Sequence, residues 1–112
     1  MPDGDPGSPL PIEQWRSWWR HYGVRELEAL LLLWWDPLGV YGEPEARDEY
    51  AAYVPRLAGL LRSGAREADV AAHLRAIERT EIEAAGEADL AARHVVEWHD
   101  HAVAALLRNG TG

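Results

Sequence analysis

The stretch ALLLLWWDPLGV at residues 29–40 decides the fold of this chain. Its first seven residues are all apolar, and a helix that is apolar on every side belongs in a protein core or in a membrane. Such a short run cannot cross a bilayer, which takes about 20 residues. Asp36, Pro37 and Gly39 then stand at the positions that favour them in a type I β-turn. We therefore predict a buried helix end and a structural turn, in which Asp36 accepts a backbone N–H bond from two residues further on.

A second motif and a leucine-rich stretch follow the turn. Residues 35–40 are W-D-P-L-G-V, residues 48–50 are D-E-Y, and leucines recur at 57–61. This pattern resembles a family of small uncharacterised bacterial proteins, which is similar to a Bacillus domain of unknown function with a small helical fold. The resemblance covers about residues 27–83, and it implies a helical fold without assigned chemistry. This chain has Arg66 where such sequences tend to have a serine at the start of the next helix.

Apolar residues at spacings of three and four predict helices along the rest of the chain. Gly23 is expected to end or kink the first helix. Pro55 has no amide hydrogen and would clash with the preceding turn, so we expect a break near residues 52–54. The predicted helices span residues 11–23, 24–35, 44–62 with that break, 67–83 and 87–108.

The fold class follows from this pattern and from the length. No segment of useful length alternates with a period of two, so no sheet is expected. The chain has 112 residues, which is the size of one domain. We predict an all-α, single-domain bundle of four or five helices over residues 10–110, preceded by a disordered tail at residues 1–9.

The composition restricts the classes of partner and cofactor. The net charge is −8, and every one of the 11 basic residues is arginine. An acidic surface disfavours nucleic acid and permits attraction to a basic partner. The absence of cysteine excludes disulfides and thiolate metal sites. The N-terminus is acidic and rich in proline and glycine, which is not typical of a signal peptide. We expect a cytoplasmic protein with no cofactor and no membrane association.

Three histidines lie close together near the end of the chain: His94, His99 and His101. At about 100° per residue, His94, Glu97 and His101 share one side of a helix, whereas His99 points into its apolar face. The first three are candidate metal ligands if another element adds one; the alternative is a solvated face with a Glu97–His101 pair. We predict that His99 is buried and neutral near pH 7, with one hydrogen-bond partner.

The densest group of carboxylates follows the turn. Glu43, Glu45, Asp48 and Glu49 lie within seven positions, and the last three would share a face if residues 44–53 were helical. This segment is a candidate docking surface for a basic partner or a carboxylate metal site. The structural alternative is that these carboxylates pair with Arg47 or Arg56 or are solvated.

Trp18 is the candidate apolar anchor for such a partner. It lies one position off the stripe formed by Trp15 and Trp19, next to arginine and histidine, and is the tryptophan expected to be most exposed. Exposed aromatic residues with arginine are typical of binding hot spots. The alternative is that the N-terminal tail covers Trp18.

Three functions stay open at the level of sequence. The first is a small acidic interaction module, immunity-like or antitoxin-like, that binds a basic protein through Trp18 and the acidic segment. The second is a metal-binding domain or small enzyme using the His94, Glu97 and His101 face together with the acidic segment. The third is a homodimer whose interface is the tryptophan-rich first helix. No Ser-His-Asp or Cys-His set can be assembled from the sequence, so catalysis is not the leading expectation.

Overall fold

Helices form almost all of the regular structure. The computed structural model describes residues 10–46 and 48–110, and the expected tail at 1–9 lies outside them. The α-helices are α1 (Ile12–Trp18), α2 (Val24–Leu30), α3 (Val54–Arg62), α4 (Glu67–Ile77) and α5 (Ala88–Gly110). No strand occurs among the residues that the structure describes. The predicted all-α bundle is confirmed.

The first two predicted helices are one continuous helical run, so the expectation that Gly23 ends the first helix is wrong. Between α1 and α2 the backbone stays helical through a π-helical segment, Trp19–Gly23. Two tryptophan rings pack directly against Gly23. An added Cβ would be 2.6 Å from Trp19 Cε3 and 3.0 Å from Trp18 Cη2, so a larger residue would collide with these rings. The glycine thus gives room to tryptophan side chains and does not interrupt the backbone.

This first helical run ends where the sequence predicts, at the Asp36 turn. A second π-helical segment, Leu31–Trp35, closes with the N–H of Asp36 donating to the carbonyl of Leu31 at 2.9 Å. Asp36 then adopts the left-handed conformation, with φ of 37°. Aspartate tolerates this conformation better than most residues, because its short side chain can bond locally. The chain therefore reverses directly from the buried helix end.

The segment between the turn and α3 is only partly helical. Two short 3-10 helices, Pro44–Ala46 and Ala51–Tyr53, are separated by a turn, so Glu45, Asp48 and Glu49 do not share the face of one helix as expected. α3 begins at Val54, with Pro55 in its first turn, where a missing N–H costs nothing. The predicted break near residues 52–54 is confirmed.

The second half of the chain packs α4 along α5. α4 begins at Glu67 as predicted, and the N–H of Arg66 donates to Asp69 Oδ2 at 3.0 Å, which is the half of a capping box that the third helical residue supplies. No helix in the described ranges is both long and apolar enough to cross a membrane. The main core combines residues from all four helical runs: Leu27, Leu31, Trp35, Leu57, Leu61, Val70, Leu74 and Val95.

A second, smaller core joins the two ends of the described chain. Leu10 at its start and Val103 on α5 pack with Trp15, Trp18 and Ala58. Trp19 and Trp98 lie against it, partly buried. We call the group formed by Trp15, Trp18, Trp19, Trp98 and His99 the tryptophan cluster.

Candidate functional site

The carboxylate of Asp36 organises the turn through three hydrogen bonds. It accepts from the N–H of Val40 and the N–H of Tyr41, each at 2.9 Å, and from the hydroxyl of Tyr50 at 2.7 Å. Asp36 therefore binds backbone N–H groups as predicted, but four and five residues on instead of two. The N–H of Leu38 donates to the Tyr50 hydroxyl at 3.1 Å, which ties the D-E-Y motif to the turn.

These bonds favour one protonation state at each group. Burial alone would raise the pKa of Asp36, but the hydrogen bonds from Tyr50 and from the turn's N–H groups outweigh it, so this pKa lies below its ordinary value. Burial and the hydrogen bond to Asp36 raise the pKa of Tyr50 far above its usual range. The pair is thus a stable carboxylate and a neutral phenol, which suits a structural role.

Beneath the turn, Trp35 and Glu78 lock the helix end to the α4–α5 connection. Glu78 Oε2 accepts from Trp35 Nε1 at 2.7 Å and from the N–H of Gly86 at 3.0 Å. A Cβ at residue 86 would lie 2.3 Å from the carbonyl oxygen of Trp35, so only glycine fits there. We call Trp35, Asp36, Tyr50, Glu78 and Gly86 the turn hub. The sequence gives no signal for the roles of Glu78 and Gly86, because both act across long sequence separations.

The outer side of the turn exposes apolar side chains on a fixed backbone. Tyr41 is 63% exposed and Leu38 is 45% exposed. Their N–H groups are the ones bonded to Asp36 and Tyr50 respectively. Neither residue was predicted as a site, although both lie inside or beside the W-D-P-L-G-V motif.

A carboxylate-lined cleft lies between α2 and the segment after the turn. Its volume is about 530 Å³, and its acidic walls are Glu28, Glu45 and Asp48. The apolar part of the lining comes from Ala29, Leu32 and Pro44.

One cation, Arg25, also lines the cleft, and its guanidinium donates to the carbonyl of His21 at 2.8 Å. Among the described residues, no salt bridge joins Glu28, Glu45 or Asp48 to a cation. The alternative pairing with Arg47 lies outside the described residues.

Glu43 and Glu49, the other two predicted acidic site residues, are also exposed. We call Leu38, Tyr41, Glu43, Glu45, Asp48 and Glu49 the turn surface.

The expectation that Trp18 is exposed is wrong. Its side chain is only 8% exposed, within the second core. Its ring centroid lies 5.4 Å from that of Trp98 on α5 and 5.8 Å from that of Trp15. Because α1 is covered on more than one side, a residue one step off its apolar stripe is also buried. Trp15 and Trp18 are therefore packed inside the monomer.

The histidines of α5 lie in three different environments. His94 stacks on Trp34 with ring centroids 3.8 Å apart, and His101 is exposed, as is Glu97. No group of three or more potential metal ligands comes together in the described part of the chain.

His99 is 5% exposed, which confirms its predicted burial. Its Nε2 accepts from Trp15 Nε1 at 3.0 Å, so the predicted single hydrogen-bond partner is a tryptophan. Burial lowers the pKa of His99, with the carboxylate of Asp100 acting in the opposite direction. The neutral imidazole is thus favoured.

Comparison with known proteins adds no assignment to these observations. No family model, no curated protein and no solved structure matches this chain. The resemblance over residues 27–83 stays a prediction, and the function must be argued from the geometry.

Proposed function

We propose that this protein is a cytoplasmic interaction module that binds a basic protein partner through the turn surface and the adjoining cleft. The observation that carries the proposal is the position of exposed Tyr41 and Leu38, on a hydrogen-bonded turn, next to a carboxylate-lined cleft. An immunity-like or antitoxin-like protein that masks a basic surface is the most concrete form of this function.

The cleft suits a lysine or arginine side chain of the partner. Glu28, Glu45 and Asp48 offer negative charge at its walls. Leu32 and Ala29 offer apolar surface on which the aliphatic stem of such a side chain can pack. This combination of a charged rim and an apolar lining selects a long cationic side chain over a free metal ion or an anion.

Complementary charge alone would raise the association rate but would add little affinity. Exposed ion pairs contribute about 0–1 kcal/mol each, whereas complementary charge raises association rates. An apolar anchor must therefore supply most of the affinity, and tyrosine is among the residue types that do so most often. Tyr41 takes the role that the sequence assigned to Trp18.

The hydrogen bonds of the turn reduce the entropy lost on binding. The N–H groups that hold the turn surface in place are those of Leu38, Val40 and Tyr41. A loop already held in its binding conformation loses less freedom when a partner docks. The turn hub thus has a part in function without touching the partner.

The proposal is tested by quantitative affinity capture from the native host with paired variants. Tyr41→Ser with Leu38→Ser should abolish retention of a stoichiometric basic protein. Tyr22→Ser is the matched control, because Tyr22 is 60% exposed but lies on the first helical run. Once the partner is purified, Glu45→Gln with Asp48→Asn should slow its association and flatten the salt dependence of that rate.

Different outcomes separate the alternatives. Two results would place the interface elsewhere. One is that Tyr22→Ser abolishes capture as completely as Tyr41→Ser with Leu38→Ser does. The other is that neither this pair nor Glu45→Gln with Asp48→Asn changes binding of the partner. A protein that turns over a small molecule, or that holds a metal ion in stoichiometric amount, would belong to the second class named from sequence. A concentration-dependent dimer disrupted by Tyr41→Ser would mean that the turn surface binds a second copy of the chain.

A further inference from the structure

A second concavity lies where the α3–α4 connection meets α5. Its volume is about 560 Å³, which is within the range of small-molecule sites, about 300–1,000 Å³. It shares no lining residue with the turn surface or with the acidic cleft. Its apolar wall is formed by Leu61, Val96, Val103 and Leu107.

One buried polar side chain, His99, lines this pocket. Because its Nε2 accepts the Trp15 N–H, the proton of the neutral imidazole is on Nδ1. The nearest acidic oxygen, Asp100 Oδ1, is 3.7 Å from Nδ1, which is too far for a direct hydrogen bond. Asp100 also lines the pocket. The wall therefore has a fixed N–H donor and a carboxylate acceptor side by side.

The charges around the pocket limit what can bind there. Arg66 contributes one positive charge, and Glu67 and Asp100 contribute two negative charges. A ligand carboxylate placed at His99 would be repelled by Asp100. A ligand ammonium group can donate to Asp100 but has no lone pair for the Nδ1–H of His99. A hydroxyl group can do both, since it accepts one hydrogen bond and donates another.

We propose that this pocket binds a neutral alcohol with an apolar body, whose hydroxyl accepts from His99 Nδ1–H and donates to Asp100. The apolar body lies against Leu61 and Val103. Trp15 acts as a positioning residue, because its N–H fixes the tautomer that faces the ligand. The inference is independent of the proposed protein-binding function, so either can fail without the other.

The test is an NMR titration of the ¹⁵N-labelled full chain with 4-phenyl-1-butanol. We expect saturable shifts centred on residues 64–67 and 99–104, with a dissociation constant on the order of millimolar, as for other small ligands. The methyl ether of the same alcohol accepts but cannot donate, and should bind about threefold to tenfold more weakly. 4-Phenylbutyrate should bind more weakly still, because of Asp100.

Matched variants identify the pocket. Ala104 is exposed and lines the pocket, so Ala104→Leu should fill it without disturbing the core and should abolish binding. Ala72→Leu, on the exposed side of α4, adds the same side chain away from the pocket and should leave binding unchanged. Asp100→Asn should narrow the preference for the alcohol over 4-phenylbutyrate.

Three results would overturn the proposal. The first is no saturable shift up to the solubility of the alcohol. The second is equal affinity for the alcohol, its ether and the acid, which would indicate unspecific apolar adsorption. The third is unchanged binding by Ala104→Leu, which would place the ligand elsewhere.

Discussion

The turn hub and the tryptophan cluster both combine buried and partly buried residues around aromatic rings, but they are held together by different forces. In the turn hub, each carboxylate accepts at least two hydrogen bonds, as Asp36 does from Val40, Tyr41 and Tyr50. In the tryptophan cluster, ring packing dominates, and one hydrogen bond joins Trp15 to His99. Directional bonds specify one geometry for a loop, whereas packed rings fill space between helices. The turn hub should therefore be the less tolerant of single changes.

The largest expected effect is at the centre of the turn hub. Asp36→Ala should lower the free energy of unfolding by about 3 kcal/mol, because the buried Tyr50 hydroxyl loses its acceptor and alanine disfavours a positive φ. Asp36→Asn keeps an acceptor oxygen and tolerates the left-handed conformation, so it should cost about 1 kcal/mol. Urea unfolding of both variants measures the difference. Equal stability of Asp36→Ala and the wild type would mean that the turn does not depend on this carboxylate.

A smaller loss of stability should follow when a methyl group is added inside the turn hub and no polar group is removed. Gly86→Ala should cost about 2 kcal/mol, because its Cβ would meet the carbonyl oxygen of Trp35. Gly59→Ala is the matched control: a Cβ there has nothing within 4 Å, and alanine in a helix should stabilise by about 0.5–1 kcal/mol. Thermal melts of the two variants should shift in opposite directions. A shift in the same direction would contradict the tight approach at residue 86.

In the tryptophan cluster, the buried His99 should make stability depend on pH. The folded-state pKa of His99 lies below its ordinary value of 6.5, so the unfolded chain binds more protons in mildly acidic solution. Stability is then fully present above about pH 6.5 and is lost as the pH falls, by at most about 1.4 kcal/mol per pH unit.

The dependence is measured by urea unfolding between pH 7 and pH 5 in His99→Gln. This change should reduce the slope of stability against pH. Burial lowers the pKa of His73 too. Any slope of stability against pH that remains in His99→Gln should therefore decrease further in the double variant His73→Gln with His99→Gln. An unaltered slope in His99→Gln would show that the cluster does not hold a neutral imidazole.

The smallest expected effect is on the outer face of the turn. Tyr41→Ser should change the free energy of unfolding by less than about 0.5 kcal/mol, because the side chain is exposed and only its backbone N–H is bonded. Circular dichroism during urea unfolding is the measurement. A large loss of stability would assign Tyr41 to the folded core of the hub and weaken its proposed role in binding.

The sequence predicted those features that depend on neighbours along the chain. The turn at Asp36 and the start of α3 at Val54, just before Pro55, follow from local backbone chemistry. The burial of His99 follows from helical periodicity alone. Gly23 was misjudged because glycine in a helix also serves to admit a large ring, and sequence does not distinguish this from a break.

Features that depend on distant elements were not predictable in the same way. Trp18 was expected to be exposed because it is off the stripe of its helix, but Trp98 and Val103 on α5 cover that side. The anchoring of Trp35 by Glu78 spans 43 residues. The turn motif predicts a reversal of the backbone but does not indicate that the side chains of Leu38 and Tyr41 are exposed. Their exposure depends on the way in which Asp36 and Tyr50 hold the loop.

The link between Trp35 and the α4–α5 connection has a consequence for how the chain folds. Helices form within about a microsecond from local contacts. The hydrogen bond from the N–H of Glu87 to the carbonyl of Trp35, in contrast, joins residues that are far apart in sequence. Contacts between distant residues form late, since they require closure of a long loop. A ribosome-bound chain that ends before residue 87 therefore lacks the α5 residues that cover part of the apolar run at 29–35. The burial of this run is completed only when α5 has been synthesised, and apolar surface exposed until then favours aggregation.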